Sequence, residues 1–276
     1  MLLEILNSKP LFVRGRDEPV YISLRTPPMP QLPAAMRNSV NRFNQLNVLW
    51  TALHLASGGR RILISLAQQP ERTMGWYKDA LQLVSWEEVP GFALPDDDGD
   101  RQRYEDARAA CVDYCGEESY EVSLLDHGIA SNHGQMPQRI RRVMVDLIDR
   151  GICPVTVATA TLTEGVNLPF DIIFVPSLMR RSFNAAEERQ VENRISTAEF
   201  RNLAGRAGRP GAGNGLEGIT LVPIPARPST TARSTLRAQR RQIAAMEEDW
   251  RLLRQSLLAE ELEQFDIDSP LALLLD

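Results

Sequence analysis

The chain has 276 residues, 43% hydrophobic and 24% charged, with 17 glycines and 18 prolines, an ordinary globular composition that excludes collagenous and low-complexity classes. No apolar run reaches the roughly 18–20 residues of a membrane span, the first ten residues carry no basic-then-apolar leader, and three cysteines are too few for a disulfide framework, so a cytoplasmic setting is expected. The formal net charge of −5 hides a segregation: residues 1–86 carry ten basic and five acidic side chains, 87–126 three and thirteen, 127–245 sixteen and nine, and 246–276 two and nine. The third block can turn a positive face to an anionic partner. A solvated arginine-rich surface would have the same composition.

In chain order, residues 1–35 read as a lead-in or linker. A β-prone run, Pro19 to Leu24, precedes Pro27, Pro28, Pro30 and Pro33, a density that no helix or internal strand tolerates. A helix is expected over about 36–57, ended by Ser57-Gly58-Gly59. Arg61 to Leu66 is a short apolar run, followed by a helix near 71–86. Residues 87–121 form an acidic insertion, expected as a surface loop to about residue 100 and a helix over 101–116. Val122 to Asn132 holds a second candidate strand that enters Asn132-His133-Gly134.

Pro137 to Arg150 is the clearest helix, with Ile140, Val143, Met144, Leu147 and Ile148 on one face and Gly151 as its stop. Further strand-like runs lie at Pro154–Ala158, Ile172–Pro176 and Ile219–Val222, with a helix at about 196–206. Short apolar runs alternating with amphipathic helices define an α/β fold over residues 36–228: a parallel sheet covered on both faces. Ligands in such a sheet collect at the carboxyl ends of the strands. Residues 229–276 form a helical extension in which Leu236, Ile243, Trp250 and Leu257 recur every seven residues, a seam for packing back onto the domain or for a coiled coil.

Only two of the 31 basic residues are lysines, Lys9 and Lys78, followed by Pro10 and Asp79. A phosphate-binding P-loop needs Gly-Lys-Ser/Thr, so the chain alone is not a complete P-loop NTPase. Two other segments carry chemistry. Thr159-Ala160-Thr161-Leu162-Thr163-Glu164-Gly165-Val166-Asn167-Leu168-Pro169 leaves a buried-type strand with clustered hydroxyls and backbone amides, the donors a sugar-phosphate backbone takes. Alone, it is equally a strand-to-helix connection capped by Thr161 or Thr163. In Arg201-Asn202-Leu203-Ala204-Gly205-Arg206-Ala207-Gly208-Arg209-Pro210-Gly211, Arg206 and Arg209 stand three apart among small residues. Forked guanidiniums so placed match phosphoryl oxygens, although a helix ending in a glycine-rich turn with solvated arginines would read alike.

Together these segments resemble motifs V and VI of superfamily 2 nucleic-acid helicases, in the DExH branch of superkiller-like and Lhr-like enzymes. That branch has T-x-T-L-x-x-G-V-N-L-P and Q-x-x-G-R-A-G-R, with Asn202 here in place of the glutamine. His133-Gly134 and the arginine-rich helix after it resemble the segment that precedes motif V. Arg61 to Gln68 resembles the motif IV strand, and Pro19 to Leu24 the junction between two RecA-like lobes.

The resemblance implies a C-terminal RecA-like lobe. Thr159, Thr161 and His133 would contact nucleic acid. Gly165, Asn167, Asn202, Arg206 and Arg209 would line the ATP site, with Arg206 and Arg209 as catalytic arginine fingers. The Walker A loop and the Mg2+ ligands would come from a first lobe, in cis or in trans, and the track would be single-stranded RNA or DNA, with no membrane involved. A non-catalytic nucleic-acid-binding or scaffold protein derived from such a lobe is the alternative. Outside this resemblance, Cys111 and Cys115 stand four apart on a predicted helix, but a zinc site usually needs two short Cys/His pairs, and no metal site is expected.

Overall fold

A computed structural model of the chain describes residues 11–14, 20–24, 26–37, 39–67, 70–159, 168, 170–184, 189–207, 218–224 and 233–266. Among these, two strands near the N-terminus, β1 (Leu11–Arg14) and β2 (Val20–Ser23), are followed by the helices α1 (Ala34–Arg37) and α2 (Val40–Ala56). The chain continues through β3 (Ile62–Ser65), α3 (Pro70–Leu81), α4 (Asp98–Cys115), α5 (Tyr120–Leu125), β4 (Ile129–Asn132), α6 (Gln138–Arg150), β5 (Val155–Ala158) and β6 (Ile172–Phe174). A ribbon of β7 (Met179–Asn184) and β8 (Arg189–Arg194) comes next, then α7 (Thr197–Ala204), β9 (Ile219–Ile224) and the long α8 (Arg233–Asp266).

The main sheet has the order β2-β1-β9-β6-β3-β5-β4, and its five members from β9 to β4 run parallel. Both faces are buried because successive side chains leave the sheet on opposite sides. Ile62, Ile64, Val155, Val157, Ile172, Phe174 and Leu221 enter one core with α2 and α3. Leu63, Ile173, Val175, Val222 and Ile224 enter the other, with α4, α6 and α8. This double burial is why β3 and β6 read as near-continuous apolar runs, while β5 and β4 bury Thr156, Ser131 and Asn132 as well.

The Pro19–Leu24 run is not a free linker strand: β2 pairs antiparallel with β1, and β1 with β9, so the pair extends the sheet beyond β9. The expected 36–57 helix begins at Val40, where the Ser39 hydroxyl accepts from the Arg42 amide. Trp50 Nε1 donates to the Pro27 carbonyl at 2.8 Å, fastening the proline-rich segment to α2. The strand expected within Val122 to Asn132 is β4, which runs into His133 as expected; the first part of that stretch belongs to α5, capped by the Ser119 hydroxyl.

The acidic insertion is folded more firmly than a loop. Asp97 caps α4 by accepting from the Asp100 amide, and Arg108 bridges Asp126 and Glu117 at 2.6 and 2.8 Å. No helix among the described residues is long and apolar enough to cross a membrane.

Two glycines separate backbone strain from crowding. Gly59 and Gly128 both hold φ near +70°, at 75° and 71°. A β-carbon at Gly59 would meet nothing, whereas one at Gly128 would enter the Phe92 ring, itself stacked near Tyr104. Gly59→Ala is expected to cost about 1–2 kcal/mol from the left-handed backbone alone. Gly128→Ala is expected to cost a further ~1–3 kcal/mol of overpacking. Urea unfolding of the two variants checks the order, and equal losses would show that Phe92 yields without cost.

Candidate functional site

The carboxyl ends of three strands are stitched together beyond the ladder itself. The Leu66 amide donates to the Ala158 carbonyl at 2.7 Å, and the Thr159 amide to the Asn132 carbonyl at 3.1 Å. Thr159 and His133 are therefore brought to one edge, on neighbouring strands, as the strand-end argument expects. The turn after β4 is built around Arg141, whose guanidinium donates to the carbonyls of His133, Gly134 and Met136 at 3.3, 2.8 and 3.3 Å. Arg141 is thus committed to holding the turn. Gly134, Gln135, Gln138, Arg139 and Arg142 stand exposed around it.

His133 itself is 2% exposed, and neither imidazole nitrogen has a hydrogen-bond partner among the described residues. Its neighbours Ser131 and Asn132 are also buried, with Ser131 Oγ and Asn132 Nδ2 unpaired on the same terms. Buried polar groups of this kind are costly unless something satisfies them. Burial lowers the pKa of His133; the Glu71 carboxylate opposes the shift and the Arg141 guanidinium adds to it. At neutral pH the ring is therefore uncharged, with one nitrogen free to donate and the other to accept. Tyr120 packs beside it, with ring centroids 6.5 Å apart.

The arginine turn lies elsewhere. Ser196 caps α7 by accepting from the Glu199 amide, and Gly205 closes the helix with a 2.8 Å bond from its amide to the Arg201 carbonyl. Next in sequence, Arg206 is 7% exposed. Its carbonyl accepts from the Phe170 amide at 3.1 Å, and Phe170 and Ala207 form an isolated parallel bridge. Phe170 immediately precedes Asp171 and β6, so the Arg206 backbone lies at the amino end of that strand. The expectation that both segments meet at the carboxyl edge is corrected accordingly.

Asn202, on α7, is exposed. Thr161, Gly165, Asn167 and Arg209 lie outside the described residues. The residues that sequence reasoning missed are those that organise the turns: Arg141, Phe170, and Arg180, whose Nε pairs with Glu199 at 2.6 Å. Arg141 follows Pro137 by four residues, one turn into α6, which places it back over the β4–α6 turn. The Cys111 and Cys153 thiols are pushed up to about 12 by burial, so both are protonated core groups.

The five-stranded parallel sheet, its covering helices and the long final helix are consistent with a RecA-like α/β lobe. The sequence relatives define the class more closely, although no protein-family model matches the chain. The ATP-dependent DNA helicase Hel308 of Aeropyrum pernix is 32% identical over 117 residues, covering 42% of this chain and 15% of that protein. The antiviral helicase SKI2 of Saccharomyces cerevisiae is 34% identical over 89 residues, 32% of this chain and 6% of that protein. The DExH-box ATP-dependent RNA helicase DExH15 of Arabidopsis thaliana is 34% identical over 94 residues, 34% of this chain and 7% of that protein. The homologues are thus DExH, Ski2-like helicases, and the chain is a helicase-related domain. It spans 15% or less of the length of these three relatives.

The burial of His133 has a pH consequence. Its folded pKa lies below the ordinary value, so between the two values the unfolded chain binds the extra proton. Stability from this group is complete above the unfolded pKa and is lost as pH falls through the folded one. Burial raises the pKa of Glu121 and tilts stability in the opposite sense, so the comparison with a variant is the diagnostic one. The stability advantage of wild type over His133→Asn is expected to shrink as pH is lowered from about 7.5 to about 5. A pH-independent difference in urea unfolding would show that His133 is not held neutral.

Proposed function

We propose that the chain is the C-terminal motor lobe of an ATP-dependent nucleic-acid helicase and completes an ATPase site shared with a first lobe. The observation that carries this reading is the hydrogen bond from Phe170 to Arg206. It joins Phe170, which follows in sequence the segment that would grip the phosphate backbone, to the turn that would face the nucleotide.

The edge around His133, with Arg139, Arg142 and Thr159, supplies contacts for a single strand of RNA or DNA. Such contacts are largely indifferent to sequence and sensitive to salt. On the arginine turn, guanidiniums suit a phosphoryl group. The one nearby carboxylate among the described residues of α7, Glu199, is engaged by Arg180, so this turn fits the nucleotide's phosphates and leaves its Mg2+ to the first lobe. ATP, when bound, supplies the phosphoryl group whose hydrolysis drives lobe opening. Arg206 and Arg209 would compensate its developing charge, with Gly165, Asn167 and Asn202 lining the cleft and Thr161 joining Thr159 on the nucleic-acid side.

A non-catalytic scaffold is the second reading, favoured by the near-complete burial of Arg206. The two separate in an ATPase assay of the chain with a first lobe supplied in trans. Arg209→Ala is expected to lower the reconstituted rate at least about a hundredfold; an unchanged rate would refute the finger assignment. Independently, affinity for single strands is expected to fall with salt by a log–log slope of about −0.7 per phosphate contacted. A flat salt response would remove the phosphate-contact reading.

A further inference from the structure

The helix that carries the arginine turn has little support of its own. α7 has eight residues and, of its side chains, buries Phe200 and Leu203. Helices this short are held by tertiary packing rather than by intrinsic propensity. Phe200 and Leu203 belong to the core cluster, and three contacts from α8 add to that packing, two on α7 and one on the end of β8. The Phe200 and Trp250 rings meet edge to face, with centroids 5.9 Å apart. An Arg201 guanidinium nitrogen donates to the Leu257 carbonyl at 3.1 Å. One turn before α7, Arg194 donates through Nε and a terminal nitrogen to Asp249 Oδ1, both at 3.2 Å.

α8 is itself fixed from beneath. Gln239, Ile243 and Leu253 are buried, and Met246, Trp250 and Leu257 pack against the core of the α4–α6 face. Their spacing of four, three, four, three and four residues is one continuous helical stripe. One element therefore packs on the core along one face and grips α7 at its middle and just ahead of its start.

We propose that α8 is the positioning element of the arginine turn, with Trp250, Asp249 and the Leu257 carbonyl setting the height at which Arg206 is presented. Trp250 and Asp249 are positioning residues: they act through α7 and touch no nucleotide. The catalytic consequence rests on the motor-lobe reading. The mechanical one does not, because the Phe170 amide reports directly whether the Arg206 carbonyl is in place.

The test is residue-resolved amide hydrogen exchange on the full chain, for wild type, Trp250→Ala, Trp250→Phe, Arg201→Met, and the reversals Arg194→Asp and Asp249→Arg, singly and combined. Trp250→Ala and Arg201→Met are expected to speed exchange at the Phe170 and Gly205 amides about tenfold or more, with Leu63 and Val157 unchanged, as for a local opening. Trp250→Phe and the combined reversal are expected to restore most of the protection, as coupled pairs do. Unchanged exchange at Phe170, or equal acceleration at Leu63 and Val157, would overturn the proposal. If Trp250→Ala does not fold, Arg201→Met and the charge pair decide it.

In the reconstituted ATPase, Trp250→Ala is expected to lower kcat about tenfold or more with KM for ATP little changed, the pattern of a lost transition-state contact. Loss of activity in Arg209→Ala with full activity in Trp250→Ala would overturn positioning while leaving the shared site intact. Indifference to Arg209→Ala would instead overturn the shared site, and the exchange data would still decide whether α8 holds the turn.

Discussion

Both faces of the parallel sheet must be dry, and the rest of the molecule follows from that constraint. Strands of three to six residues leave no room for a polar face, so helices have to cover each side. On one side α2 does this with nearly its whole circumference, and it therefore needs a lid of its own. The proline-rich segment provides one, anchored by the Trp50 indole. On the other side the cover is shared among α4, α6 and α8. The final helix is thus part of the core, with Ile243 and Leu253 both buried in the same cluster as Leu63, Ile173 and Val222.

Much of this was legible in the sequence because the same constraint writes itself into it. The runs at 62–64 and 172–174 are apolar without alternation, and α6 shows an unbroken apolar face ending at Gly151. The features that were not legible fall into two kinds. Some are too short to have a period: α5 has six residues, and its Val122, Leu124 and Leu125 look equally like a strand. Others are polar where an element is not expected. The β7–β8 ribbon contains Arg180, Arg181, Arg189 and Arg194 and lacks the alternation that marks a half-buried strand. It is held at its base by ion pairs, which leave no trace in periodicity.

The candidate site divides along the same line. Its residue types were readable, since hydroxyls after a buried strand and paired arginines after a short helix are chemical signals. Their placement was not. Spacing along the chain cannot say whether a turn comes to rest at the carboxyl or the amino edge of a sheet. The Phe170–Arg206 bond settles it for Arg206, and it joins residues 36 apart in sequence. Likewise nothing in the sequence announces that Arg141 is spent on three carbonyls, while Arg139 and Arg142, two and one residues away, remain exposed.

The scarcity of lysine gives the surface a property of its own. Lys78, the one lysine among the described residues, bonds to the Glu118 carbonyl and pairs with its carboxylate, so the remaining positive side chains there are guanidiniums. A guanidinium stays protonated at any pH a folded protein survives, and it lacks the primary amine that acylating reagents and acetyltransferases modify. The positive potential of the exposed edge is therefore a permanent fixture, deaf to acidity and to amine chemistry. Buried beside those constant charges, His133 is the lone imidazole among the described residues of the edge, and burial keeps it uncharged at neutral pH.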